Sequence, residues 1–190
     1  HCRFSDILAY FRPGDALVLN DSKVIPARLI GRRAKTGGKI ECLLVEKIGS
    51  ARYRVLLQPS RGIHIGSQVS FLPSAVTAEV VGETEDYKVM QFNSIVDPET
   101  ELKQIGQVPL PPYIKRSPEA IDQQRYQTIY AHNEGSVAAP TAGFHFTDQL
   151  LQAIIKKKVE VIFVTLHVGP GTFLPVREDE ISKHSLWEES

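Results

Sequence analysis

One stretch constrains the fold more than any other: a helix-forming run that leads directly into an apolar, β-branched run, with a histidine-bearing loop at each end. Leu150, Leu151, Ile154 and Ile155 recur at helical spacing and make one apolar face. Thr147 precedes them as an N-cap, its hydroxyl able to accept from a free N–H of the first turn. Asp148 puts negative charge at the positive end of the helix dipole, and Lys156, Lys157 and Lys158 suit the negative end. Residues 159–166 are apolar and β-branched apart from Glu160 and Thr165, the pattern of a parallel strand covered on both faces. The spacing therefore predicts an α/β unit with His145 just before a helix N-terminus and His167 at the carboxyl end of a strand. Those are the positions where ligands bind in α/β sheets.

The two loops share one chemical texture. His145 sits in Gly143-Phe144-His145-Phe146-Thr147, after Pro140, Thr141 and Ala142. His167 sits in Thr165-Leu166-His167-Val168-Gly169, with Gly171-Thr172-Phe173 following. A lone histidine near a strand end is more often structural than catalytic. Two in matching settings, joined by one α/β unit, leave both readings open. Residues 169–171 form either a tight turn or a backbone that a ligand approaches closely. Earlier in the chain, residues 16–19 read as a short buried strand running into Asn20 and Asp21. That pair is a further candidate site, or it closes a turn through its own backbone. The expectation is that the two imidazole-bearing turns converge with Asp21 on a shared cleft.

From Arg28 to Phe92 the texture changes to short, partly alternating apolar runs separated by Gly37-Gly38, Gly49-Ser50, Gly62, Gly66, Pro73-Ser74 and Gly82. About six strands, at such spacing, predict a small antiparallel barrel or sandwich. The expected fold is an α/β main domain, mixed and barrel-like, formed by residues 1–28 and 95–190. A small antiparallel β-barrel, residues 29–94, is inserted into it. Residues 1–27 are too few to bury a core alone. Further on, Asp97-Pro98-Glu99 predicts a helix start with proline at the first position. Residues 108–113 are stiff and extended, since proline fixes φ. Ser117-Pro118-Glu119-Ala120 predicts a second helix carrying Ile121, Tyr126, Ile129 and Tyr130. Residues 176–190 are acidic, with His184 a lone imidazole of structural or exposed character.

Composition excludes some classes. The formal net charge is zero, which argues against a strongly basic nucleic-acid binder but leaves room for a local basic face. Arg28, Arg32, Arg33, Lys35 and Lys39 supply one, with no acid among them, either solvated or facing phosphates. Two cysteines, Cys2 and Cys42, make neither a disulfide framework nor a zinc site. No run of about 18 apolar residues is present, so no membrane span is expected. The expected compartment is the cytoplasm.

Several stretches together resemble the S-adenosylmethionine:tRNA ribosyltransferase-isomerase family of queuosine biosynthesis. They are residues 14–29, with Leu19-Asn20-Asp21-Ser22-Lys23 at their centre, and residues 108–114 and 125–131. The most specific are Val137-Ala138-Ala139-Pro140-Thr141-Ala142-Gly143-Phe144-His145-Phe146-Thr147 and residues 163–169 through Gly171-Thr172-Phe173. The resemblance implies an α/β domain with an inserted barrel, in agreement with the residue-level reading. It also implies relatives with a further N-terminal segment and a long C-terminal part. Where they have a His-x-Met-His-x-Glu pattern, this chain has His184-Ser185-Leu186-Trp187-Glu188-Glu189, so Trp187 is given no catalytic role.

The implied activity uses S-adenosylmethionine as a ribosyl donor. The acceptor is the aminomethyl group of a 7-deazaguanine in the tRNA anticodon, and the product is epoxyqueuosine, with adenine and methionine leaving. S-Adenosylmethionine is then a co-substrate, with no tightly bound cofactor and no metal. A base titrating near neutrality suits removal of the proton beside the sulfonium, which makes His145 and His167 the candidates and Asp21 the third. Phe144, Phe146, Phe173 or Asp21 would face the cation, and the methionine carboxylate would sit at the helix start by Thr147. Asn20, Pro140, Thr141, Ala142 and Gly143 would line the substrate pocket with Thr165, Gly169, Gly171 and Thr172. Arg28, Arg32 and Arg33 would hold anticodon-stem phosphates. The rival reading is a non-catalytic RNA-binding protein using the barrel. A conventional methyltransferase fits poorly, because Asn20-Asp21-Ser22-Lys23 follows the first strand in place of a glycine-rich loop.

Overall fold

The helix and strand expected across residues 147–166 are both present in the computed structural model, which describes residues 1–84 and 86–173. Helix Asp148–Lys156 starts at Thr147, whose hydroxyl accepts from the Leu150 N–H at 3.2 Å. Strand Glu160–Val164 follows and pairs in parallel with strand Ala16–Asn20, Ala16 opposite Glu160 and Asn20 opposite Val164. In chain order these are α3, β10 and β1. Their shared core is Leu19, Phe146, Ile154 and Val159, with Phe4, Leu8, Phe11 and Leu17 packed against it. A 3-10 helix, Phe4–Ala9, delivers the first of these aromatics. The Lys157 ammonium ties it down by donating to the Leu8 and Phe11 carbonyls at 2.8 and 3.1 Å.

The expected covering of this strand on both faces is not found among the described residues. Phe163 is 48% exposed, and Ile162, Val164 and Leu166 are exposed as well. β10 has one strand neighbour, β1, in a two-stranded sheet. The apolar run records an affinity for burial, which the described residues meet only in part.

A second parallel pair joins β2 (Ser22–Val24) to β9 (Asn133–Ser136). Asp21 alone separates β1 from β2, so the chain passes from one strand pair to the other within one residue. The helix expected after Pro118 is shorter than its proline-and-cap signature suggests: α2 spans only Asp122–Arg125. The buried Asp122 carboxylate accepts from the Glu119 N–H at 2.8 Å, closing a turn, and Tyr126 leaves helical geometry at ψ 41°.

The alternating middle of the chain closes a six-stranded antiparallel barrel, as expected. Its strands are β3 (Arg28–Arg33), β4 (Lys39–Gly49), β5 (Arg52–Gln58), β6 (Gln68–Ser70), β7 (Thr77–Glu83) and β8 (Lys88–Asn93). Their order round the barrel is β3-β4-β5-β8-β7-β6. Period-two alternation sends Leu29, Ile40, Cys42, Val55, Val69, Val80, Met90 and Phe92 inward, where all are fully buried. Burial also pushes the Cys42 thiol up, away from reactivity. Closure depends on Gly31: a Cβ there would lie 2.8 Å from Val69 Cγ1 and 2.9 Å from the Ser70 carbonyl.

Helix α1 (Pro98–Ile105) begins at Asp97, which accepts from the Thr100 N–H at 2.9 Å. It is tied to the barrel by the Lys47–Glu99 ion pair, and Gln107 bridges back to Arg28. By contacts the chain divides into Ile25–Pro118 and a unit of His1–Val24 with the residues from Glu119 onward. Residues 95–118, expected in the main domain from sequence, fall in the same unit as the barrel strands. Among the described residues no helix is long and apolar enough to cross a membrane.

Candidate functional site

Asp21 stands where the two parallel pairs part. Its N–H donates to the Val164 carbonyl, and its own carbonyl accepts from the His132 and Asn133 N–H groups. Main-chain bonds to both sides hold the side chain in place. The carboxylate accepts from the Thr165 hydroxyl at 2.6 Å and the Asn133 amide at 3.1 Å, and that amide also reaches Thr165 at 2.9 Å. The Thr165 bond, ahead of Asn133 and the nearby His132, holds the Asp21 carboxyl below its ordinary range. A carboxylate so held attracts cations well and takes up protons poorly.

Asn20 fixes the loop that carries His167. Its amide donates to the Leu166 carbonyl at 2.9 Å and accepts from the Leu166 N–H at 3.1 Å, adding a side-chain rung to the β1–β10 ladder. On the far side of His167, the buried Ser136 hydroxyl accepts from the Val168 N–H at 2.9 Å and donates to Ser22 at 2.8 Å. The Val168 carbonyl accepts from Val137 and Ala138. The half-buried His167 is therefore anchored through both neighbours. Its Nδ1 is sealed from solvent without a partner, and its ring lies over Gly135.

His145 is held differently. It ends the 3-10 helix Thr141–His145, its Nδ1 3.2 Å from the Ala142 carbonyl and its ring 4.9 Å from that of Phe4. The contacts of His145 are with Phe4 and Ala142, whereas Asp21 and His167 both meet β9, through Asn133 and Gly135 respectively. Around it, Pro140 accepts from the Gly143 N–H, Thr141 and Ala142 are exposed, and Gly143 is buried close to Tyr130 and Thr128. Phe144 is exposed beside Tyr126. Phe146, expected to face a ligand, is a core residue set edge-on against Phe4. Thr147 is engaged as the α3 cap. Gly171, Thr172 and Phe173 fall in a 3-10 turn, Pro170–Phe173, just after Gly169. Residues 184–189, with the departure at Trp187, lie outside the described residues.

Of the three arginines, Arg28 is ion-paired with Glu41 at 2.6 Å. Arg32 donates to the Gly37 carbonyl and Arg33 to the Pro59 carbonyl. Arg32 lies opposite Lys39 across the β3–β4 ladder, and among the described residues neither meets an acid. Sequence reasoning missed Asn133, Gly135 and Ser136 as parts of the cluster. The small-residue run beginning at Ser136 was a usable signal; nothing local marked Asn133.

A carboxylate cluster on parallel strand ends, in a chain that also closes a six-stranded antiparallel barrel, defines an architecture. Comparison with known proteins places it. A family profile described as "Queuosine biosynthesis protein" matches residues 1–190, and the chain belongs to that family. It is 45% identical over 190 residues to the S-adenosylmethionine:tRNA ribosyltransferase-isomerase of Staphylococcus aureus strain JH9, covering all of this chain and 55% of that protein. The Staphylococcus aureus strain Newman protein matches to the same extent, at 45% identity over 190 residues and 55% of its length. The chain thus spans 55% of the length of these curated relatives. A solved structure, S-adenosylmethionine tRNA ribosyltransferase from Thermotoga maritima, is 28% identical with a TM-score of 0.39, covering 87% of this chain and 45% of that one.

Proposed function

We propose that this chain forms part of an enzyme that transfers and isomerises the ribosyl group of S-adenosylmethionine onto the 7-aminomethyl-7-deazaguanine of a tRNA anticodon. The products are then epoxyqueuosine-tRNA, adenine and methionine. The observation that carries the reading is the 45% identity over 190 residues, the whole of this chain, to a protein named as an S-adenosylmethionine:tRNA ribosyltransferase-isomerase. The fold expectation goes with it: the unit bearing the parallel pairs is a mixed, barrel-like α/β main domain, the antiparallel barrel is its insertion, and the protein is cytoplasmic.

In this reading Asp21, kept ionised, faces the sulfonium. His167 is the leading candidate for the base that takes the proton beside it, acting through Nε2 because Nδ1 is sealed. His145, on the turn before α3, is the second candidate, and Thr141, Ala142 and Phe144 line its side of the substrate. Phosphates of the tRNA are held by Arg32 and Arg33 with Lys35 and Lys39, while Arg28 is taken up by Glu41.

The test is release of adenine on mixing the full-length protein, S-adenosylmethionine and tRNA bearing the precursor base. Stoichiometric adenine release that requires the precursor base supports the proposal. Arg32 and Lys39, which meet no acid among the described residues, favour non-catalytic RNA binding as the alternative. It predicts tRNA affinity indifferent to S-adenosylmethionine and no adenine.

A further inference from the structure

We infer that Gly135 is a positioning residue for His167: the missing side chain at this point of β9 sets where the imidazole lies over the strand that also carries Asn133, a partner of Asp21. The role given to His167 rests on the ribosyl-transfer reading above. The packing does not.

A Cβ built on Gly135 would stand 2.6 Å from Cε1, 2.7 Å from Nδ1 and 2.8 Å from Nε2 of His167. Distances so nearly equal place the ring face-on over the glycine, in the volume a methyl group would fill. The contact is closer than any Cβ tolerates, so an alanine here must displace the ring or part β9 from β2.

The ring has little room to yield by moving its own backbone. Leu166 is held at both main-chain groups by Asn20, and Val168 is held by Ser136, Val137 and Ala138. Gly135 and Ser136 therefore divide one task, the first making space for the imidazole and the second anchoring the residue after it. Displacement would fall on the side chain, moving the one ring nitrogen that is not sealed.

Gly135 also has a φ of +153°, which a side chain tolerates poorly. Gly14 separates the two effects: its φ is +93°, yet nothing lies within 4 Å of its absent Cβ. Gly14→Ala carries the backbone strain without the collision.

The experiment uses the full-length protein and five forms: wild type, Gly135→Ala, Gly14→Ala, His167→Ala and the double variant Gly135→Ala/His167→Ala. Gly135→Ala is expected to lower kcat for adenine release by roughly a hundredfold, the scale of a displacement of about 1 Å in a reacting group. KM for S-adenosylmethionine stays within about threefold, and Gly14→Ala keeps the wild-type kcat. The double variant is no slower than His167→Ala alone, because the ring that the methyl displaces is already gone.

Melting tests the packing apart from activity. Gly135→Ala loses Tm, and adding His167→Ala restores part of the loss by vacating the volume. If Gly135→Ala does not fold, recovery of folding in the double variant carries the same meaning. A Gly135→Ala enzyme with near-normal kcat, or a double variant whose Tm losses simply add, overturns the inference. Absence of adenine release from the wild type defeats the ribosyl-transfer reading instead, and leaves the melting result to decide the contact.

Discussion

Replacing Ser136 by alanine should cost more stability than replacing Ser22, although their hydroxyls form one bond. Ser136 is fully buried and makes two contacts: it donates to Ser22 and accepts from the Val168 N–H. Ser136→Ala deletes both and leaves a buried backbone donor unpaired. An orphaned buried donor costs about 1–3 kcal/mol and an ordinary lost hydrogen bond about 1 kcal/mol, so the expected loss is roughly 2–4 kcal/mol. Ser22→Ala removes only the shared bond, and the Ser136 oxygen still accepts from Val168, so it should cost about 1–2 kcal/mol. In Ser22→Ala/Ser136→Ala the bond is absent on both sides, so the double variant should lie close to Ser136→Ala and well short of the sum. Urea denaturation of the full-length protein, with the slope checked for constancy, measures all three. Equal losses from the two single variants, or a fully additive double, would refute the account of Ser136 as the anchor of the His167 loop.

Three further outcomes are expected. Thr165→Val removes the strongest hold on Asp21, so its carboxyl should titrate nearer its ordinary value in NMR pH titrations. The sign follows from the lowered native pKa: the native state gains stability from this carboxylate above its unfolded pKa and loses it as pH falls through the depressed value, so the variant should show a smaller acid-side loss. Arg32→Glu with Lys39→Glu should weaken tRNA binding and flatten its salt dependence by close to two phosphate contacts, whereas Arg28→Ala should leave that slope unchanged, as filter binding across salt concentrations would show. Gly31→Ala should destabilise the barrel unit by about 1–3 kcal/mol, the scale of overpacking, read by hydrogen exchange at β3 and β6.

The barrel was legible because its signal is local. Alternation of period two sends Leu29, Ile40, Val55, Val80 and Phe92 to one side, and glycine or proline pairs punctuate the strands. Its closing pair, β3 with β6, joins residues far apart in sequence and had no local mark beyond Gly31. Helix α3 was legible through Thr147 and its apolar spacing. The short α2 was not: the apolar spacing runs on to Ile129 and Tyr130, whereas the backbone leaves helical geometry at Tyr126. The apolar character of residues 159–166 predicted the parallel strand rightly, but the cover on both faces expected with it is not found among the described residues, since cover is a property of neighbours.

Within the site, Asp21 could be found because an acid at the end of an apolar strand is conspicuous. Its partners could not be read with it: Asn133 lies 112 residues away and Thr165 144. His145 and His167 look alike in sequence, yet one rests on Phe4 and the other is locked between Asn20 and Ser136.

Asp21 is a seam one residue wide. Its N–H belongs to the bonding of one strand pair and its carbonyl to that of the other, while its carboxylate reaches side chains from both. A cation drawn to that carboxylate would press on two sheets at once and knit them where they diverge. Occupancy would then be felt along the amides of residues 132 and 133 as much as at the carboxylate itself, so slowed deuterium uptake there would report ligand arrival before any chemistry occurs.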